Sequence, residues 1–315
     1  MSTVINTNIA AMSAQRALTS TSGQLSTALQ RLTSGLRINS AKDDAAGLAI
    51  AERLTTQVRG YQQAIRNAGD GISVAQTAEG GLDSITTSLQ RMRELAVQSA
   101  NFTNTASDRA AIQQEVAQMR EEIQRVASQT KFNGQALLDG TFNGATFQVG
   151  ANVGEIIQIS GVDSAQTSQV GRISDISAIT VAAAGGKTLK VGSTVTNLSG
   201  TTAAAIAKEI NALGVAGLYA YEDPAAAGKL GLSYSGALAV EFDDDGAGAN
   251  AAVVVTAQAN DKFLSSLDMT TVAGSNKALL TIDAALSSVS GSRAKLGATI
   301  NRFEQTVSNL RITAE

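Results

Sequence analysis

LTTQVRGYQQAIRNAGDGISVAQTAEGGLDSITTSLQRMRELAVQSA, residues 54–100, decides how this chain is read. Leu54, Val58, Tyr61, Ile65, Ala68, Ile72 and Ala75 alternate spacings of four and three, which places them on one stripe of an α-helix. After Gly80 and Gly81 a stripe resumes as Leu82, Ile85, Leu89, Met92 and Ala96. The two rows differ by one residue, so a stutter or local bend is expected near Glu79, where glycine weakens the helix. A helix from about Asp43 to Ser99 would run roughly 80 Å at about 1.5 Å per residue.

Upstream, Leu18, Leu25 and Leu32 repeat every seven residues, with Leu29 and Leu36 as a second row. Gly35 and residues 38–40 interrupt this first helix. Ser40 and Asp43 have capping-box spacing, with Asp in place of the usual Glu. The second helix is therefore expected to start there, with Asp43 and Asp44 on its positive end. Downstream, Ser107 is expected to cap a third helix carrying Ile112, Val116, Met119, Ile123 and Val126. Asn133-Gly134, Asp139-Gly140 and Asn143-Gly144 then punctuate short alternating runs, which predicts hairpins.

From about Val170 to Ala273 the chain is rich in Ala, Gly, Ser and Thr. Strands are expected near 188–196, 229–235, 237–242 and 252–257, a helix over Thr201 to Leu213, and a loop at the single proline, Pro224. The helical spacing returns in Leu279, Ile282, Leu286, Val289, Leu296, Ile300, Phe303, Val307 and Leu310, broken at Arg293. The predicted fold is mainly α: an elongated, antiparallel, coiled-coil-like bundle built from both ends of the chain, with a β-hairpin region and an inserted α+β domain. The expected divisions are 1–42, a terminal-helix segment; 43–169, helical rod with hairpins; 170–273, the insert; and 274–315, the returning helix of the rod.

Among 315 residues there is no Cys, His or Trp, and aromatics make up 3%. That excludes disulfides, thiolate chemistry, Ser-His triads and the usual zinc sites. Net charge is −3 with scattered Lys and Arg, so no basic patch suggests nucleic acid. No apolar run is long enough to span a membrane. MSTVINTNIAAMSAQRALTS lacks the basic and apolar regions of a cleaved signal, which points to the cytoplasm or to export by another route.

With the stripes assigned to an internal core, assembly would use outer faces. Candidates there are Arg31, Arg37, Asn39, Lys42 and Asp43 around the first interruption, and Arg59, Arg91, Arg93, Glu94 and Gln98 along the second helix. Glu241, Asp243 and Asp245, followed by Gly246, imitate the start of a calcium loop. The template's twelfth position is Ala252, where a bidentate glutamate is needed, so an acidic hairpin turn is the better reading. No constellation supports an enzyme, and no cofactor is implied.

The sequence resembles bacterial flagellin. VINTNIAA (4–11), RLTSGLRINSAKDDAAGLAIAERL (31–54), RNAGDGISVAQTAEGGL (66–82), LQRMRELAVQSAN (89–101) and FNGQALLDG (132–140) are similar to the family's N-terminal region. IDAALSSVSGSRAKLGATINRFEQTVSNL (282–310) is similar to its C-terminal helix, and LKVGSTVTNLSGTTAAAIAKEINALG (189–214) to a repeat of many flagellin inserts. The resemblance implies an extracellular motility filament of self-associating subunits, exported unfolded through the flagellar channel without a cleaved signal, with the export apparatus and filament cap as partners. It also implies recognition by the Toll-like innate receptor, with Arg91, Leu95 and Glu115 as the matching contact positions. Family members continue several dozen residues beyond the equivalent of Glu315. The partner of residues 1–36 and the chaperone-docking segment are then expected to be missing, through an engineered shortening or a natural short paralogue, and the chain alone is not expected to form normal filaments. The alternative reading is a surface adhesin or polysaccharide receptor that binds through the insert.

Overall fold

The second helix forms without a break. In the computed structural model α1 covers Ile9–Ser34, α2 Ala45–Ala100, α3 Ala106–Gln129, α4 Ala203–Ala212 and α5 Val272–Ala314. Short strands lie between: β1 Lys131–Phe132, β2 Gln135–Ala136, β3 Ala145–Gln148, β4 Ile156–Ile159, β5 Ile173–Ile179, β6 Lys187–Val191, β7 Thr194–Leu198, β8 Leu218–Glu222, β9 Leu230–Tyr234, β10 Val240–Asp243, β11 Val253–Val255 and β12 Asp261–Lys262. The structure describes residues 8–315 except 161, 180, 182–186, 192, 224–225, 227, 236–239, 244–252 and 256–260. Pro224 and parts of three expected strands, 188–196, 237–242 and 252–257, therefore lie outside the described residues. The chain divides into two compact units, one of residues 1–66, 149–155 and 309–315, the other of 67–148 and 156–308.

In the larger unit, α2 and α5 run antiparallel. Gly71 meets Phe303, Arg293 reaches Asp83 (3.0 Å) and Glu79 (3.6 Å), Arg93 pairs with Asp283 (2.7 Å), and the Ser275 hydroxyl bonds the Ser99 hydroxyl (2.9 Å). Helix α3 is antiparallel to α2 as well, with Arg91 on Glu115 (3.1 Å) and Gly81 under Thr130.

The buried stripe differs from the expected one. On α2 it is Ala64, Ala68, Gly71, Ala75, Ala78, Leu82, Ile85, Leu89, Met92, Ala96 and Ser99, alternating four and three throughout. The expected stutter near Glu79 is absent; Ile65 and Ile72 flank the seam, half-buried, and smaller residues occupy it. On α5 the buried row is Ser275, Ala278, Ile282, Ala285, Val289, Ser292, Leu296, Thr299 and Phe303, so it passes through Ser292 and no break occurs at Arg293. Close helix approach selects small seam residues over large apolar ones. A Cβ at Gly71 would stand 2.7 Å from Phe303 Cζ, so only glycine admits that ring. Phe303 is fully buried and meets Phe147 edge-on at 5.6 Å.

Other local expectations shift. Helix α2 begins at Ala45, with the Asp44 carboxylate accepting the Gly47 N–H (2.8 Å), because Ser40 and Asp43 instead close the turn before it. Helix α3 is capped by Thr105 with Asp108 in a reciprocal box, rather than by Ser107. Of the three turn dipeptides, Asn133-Gly134 (φ 48° and 83°) makes the two-residue hairpin turn between β1 and β2. Asp139 bonds Thr141 locally, and Asn143-Gly144 only leads into β3, which pairs with β4.

The segment from β5 to β12 holds two four-stranded antiparallel sheets, ordered β11-β10-β6-β7 and β12-β5-β9-β8. The run expected as one strand over 188–196 is a hairpin, and the helix is α4, capped by Thr202. Ile206, Ile210, Leu230, Leu232, Val240 and Phe242 share its core. Strands β5, β8 and β12 were not anticipated. Strand β5 carries Asp175, buried, whose Oδ1 accepts from Tyr221 (3.0 Å) and Ser233 (2.6 Å) and whose Oδ2 accepts from Lys277 of α5 (3.1 Å). Lys277 Nζ also lies 3.7 Å over the Tyr221 ring. Burial first, then the Asp175 charge, holds the Tyr221 phenol far above its ordinary pKa, so it stays a donor. Helix α3 supplies further ties: Gln113 bridges Leu267 O (3.2 Å) and Met269 N (2.8 Å), and Gln124 accepts from Thr167 (3.0 Å).

Two outcomes follow in urea unfolding. Gly71→Ala should cost about 1–3 kcal/mol by overpacking. In a Phe303→Leu background the same change should be neutral or stabilising, because alanine gains about 0.5–1 kcal/mol of helix preference; equal costs in both backgrounds would refute the contact. Lys277→Met should cost about 2 kcal/mol or more by stranding the buried carboxylate. Adding Asp175→Asn should recover part of that loss, read by tyrosine fluorescence.

Candidate functional site

Two surfaces carry the predicted residues, one in each unit. In the larger unit, Arg91, Glu94 and Gln98 recur at helical spacing on the exposed face of α2. Arg91 Nη1 donates to Glu94 (3.0 Å) and Nη2 to Glu115 of α3 (3.1 Å). The bonds to Glu94 and then Glu115 raise the Arg91 pKa above its ordinary value, keeping the guanidinium charged. All three side chains remain close to half exposed or more, so the cluster is held in place while facing water.

Leu95 does not share that surface. It is 2% exposed, buried along with Met92 and Ala96. Of the three expected contact positions, Arg91 and Glu115 share one surface, and Leu95 lies in the core beneath it. Position 95 lies one turn from the exposed Arg91 and Gln98 and equally from the buried Met92 and Ser99, so on this boundary the apolar side chain is the one taken into the core. Arg93 is also committed, through its fork on Asp283 (2.7 and 3.4 Å), to joining α2 and α5.

At the end of α2 the chain turns a tight corner into α3. The buried Arg109 guanidinium donates to Ser99 O (2.7 Å) and Asn101 O (3.4 Å), satisfying carbonyls that the helix end leaves open. Gln98 O accepts from Asn101 N (3.1 Å) and from the Asn104 amide. Sequence reading missed Arg109; an arginine four residues past a Thr-x-x-Asp cap carries no local signal of its long-range partner.

In the smaller unit, the connector between α1 and α2 is knitted by its own polar groups. The Asn39 amide donates to Ser34 Oγ (2.7 Å) and Gln30 O (3.2 Å). Asp43 Oδ2 accepts from Asn39 N (3.2 Å), Ser40 N (3.1 Å) and Ser40 Oγ (3.1 Å). These bonds, the Asn39 N–H foremost, hold the Asp43 carboxyl below its ordinary 3.8. A depressed pKa favours the charged form, so the knot is intact at neutral pH and loosens only as acid titrates Asp43. Asn39 and Asp43 thus shape the connector, while Arg31, Arg37, Lys42 and Arg59 stay exposed. Arg37 and Arg59 line an open groove of about 690 Å³ with Leu36, Ile38 and Leu48.

The acidic segment has no ion-binding geometry among the described residues. Glu241 is paired across the sheet with Lys190 (2.8 Å), Asp243 ends β10, and Asp245 lies outside the described residues. Among the described residues no three acidic groups gather as metal ligands, and no helix is long and apolar enough to cross a membrane.

Comparison with known proteins shows the family by sequence. The family profile of the bacterial flagellin N-terminal helical region matches residues 5–143. Flagellin A of Vibrio anguillarum is 40% identical over 339 residues, covering 98% of this chain and 86% of that protein. Flagellin C of Vibrio cholerae serotype O1 is 39% identical over 328 residues, covering 98% and 85%. Among solved structures, FliC from Burkholderia pseudomallei is 26% identical, with a TM-score of 0.46, covering 74% of this chain and 99% of that one. Matched over nearly its whole length by relatives of this kind, the chain belongs to the flagellins, the structural subunits of the extracellular flagellar filament.

Proposed function

We propose that this chain reaches the cell exterior through the flagellar export apparatus without a cleaved signal peptide. There it adds beneath the filament cap and associates through the exposed faces of its helices. The observation that carries the self-association reading is α1. Its 26 residues include none that is buried, and Leu18, Leu25, Leu29, Leu32 and Leu36 all face water, Leu32 at 80% exposure. A leucine row in solvent costs roughly 1.5–3 kcal/mol for each side chain that covering it would recover, so this helix is built to be covered.

The same reading assigns the Arg91–Glu94–Glu115 cluster and the neighbouring Gln98 to a surface used both in subunit contact and by the Toll-like innate receptor. Its support is the fixed, half-exposed ion-pair geometry together with the sequence match at these positions. Leu95 acts there through the core, by holding α2 in place. Arg31, Arg37, Lys42 and Arg59 serve as rim charges around the connector.

A polysaccharide-binding reading has one observation in its favour. An open groove of about 890 Å³ between the insert and α5 is lined by Asp163, Arg172, Asp283, Ser287 and Ser288, with Phe263 offering a ring. Saturable glycan binding that disappears on deletion of residues 170–273 would establish it.

Two measurements test the principal reading. The purified chain should sediment with fragmented flagellar filaments used as seeds, and a Leu25→Asp, Leu32→Asp variant should stay in the supernatant; absence of any wild-type association would sink it. Arg91→Glu should change unfolding free energy by about 1 kcal/mol or less yet lower receptor-driven reporter signalling at least about tenfold. Leu95→Ala should instead act through stability, costing about 2–5 kcal/mol.

A further inference from the structure

Phe102 has no role in the fold or in the charged cluster. It is 94% exposed at the corner between α2 and α3. A lone exposed aliphatic side chain needs no explanation, but this aromatic ring stands on a corner that is held still. Asn101 N donates to Gln98 O (3.1 Å), Asn104 N to Asn101 O (3.3 Å), and Thr103 N to the Asn101 side chain (3.2 Å). Arg109 clamps the Ser99 and Asn101 carbonyls from beneath. All of these bonds would persist without the ring.

The exposed face of α2 leads to this corner through Arg91, Glu94 and Gln98, and Val97 beside them is also exposed. A preorganised aromatic bordered by polar and charged groups has the make-up of an interface hot spot. We propose that Phe102 anchors one copy of this chain on a second copy in the filament. Two observations favour a second copy as the occupant. The chain belongs to a family of filament subunits. The adjoining strip mixes both signs of charge, Arg91 with Glu94 and Glu115, so like copies meet without net repulsion.

This inference rests on the self-association reading, and one experiment separates their failures. Because the chain has no cysteine, F102C carries a single thiol, and V195C on β7 is the exposed control. In monomers both thiols should react with a maleimide at similar rates. After association with filament seeds, the F102C thiol should react at least about tenfold more slowly and the V195C thiol should be unchanged. F102S should keep its urea midpoint and raise the concentration needed for co-sedimentation with seeds about tenfold, or prevent it. Equal F102C reactivity in both states, or F102S sedimenting with seeds at the wild-type concentration, would overturn the anchor and leave self-association standing. Failure of the wild-type chain to sediment with seeds would overturn self-association itself.

Discussion

The close approach of α2 and α5 is the constraint from which the larger unit follows. Two helices can lie this near only if their facing residues are small, and Ala68, Gly71, Ala75 and Ala78 on one side meet that condition. Once backbones are close, a single large residue must be given a hole, and Gly71 provides it for Phe303. Dispersion from many small contacts then does what a few aromatic residues do in other cores, consistent with a chain whose aromatic content is 3%. Among polar groups in the seam, the Ser275 hydroxyl bonds the Ser99 hydroxyl across it and the Thr299 hydroxyl bonds Lys295 O of its own helix, so these buried hydroxyls are matched.

Fixing the seam also sorts the surface. Residues one step off it become cross-helix ties, such as Arg93 with Asp283 and Arg293 with Asp83. These exposed pairs contribute register more than energy, since each is worth only about 0–1 kcal/mol. Residues on the far face stay in water. Arg91 and Glu115 remain in reach of water while tying α2 to α3, and Leu95, one turn along from Arg91, is buried in the core. A structural subunit needs this division: a rigid interior made early, and outer faces kept soluble until other copies cover them.

The insert is attached by different chemistry. Asp175 on β5 gathers Tyr221, Ser233 and Lys277, and the last of these belongs to α5. A buried carboxylate tolerates little displacement of its donors, so the sheet is seated on the helix by direction as well as by area. Strand β5 escaped sequence reading because an acidic residue in a short run argues against a buried strand. Its partners are more than forty positions away, and nothing local announces them. Strand β8 was hidden for a related reason, since its Tyr-Ala-Tyr core is short and flanked by glycine-rich chain.

Much of the fold was legible because helix period, caps and turn dipeptides are short-range properties. The existence of the long helices follows from residues within a few turns of one another, and the family from short stretches of matching sequence. What sequence alone left undetermined was which of two adjacent stripes is buried. Ile65 and Ile72 outrank Ala64 and Gly71 by hydrophobicity, and that ranking produced the expected stutter near Glu79 that α2 does not have. Only the tertiary structure decided it, because seam occupancy depends on how near a second helix lies, and that distance is set by residues some two hundred positions further along the chain.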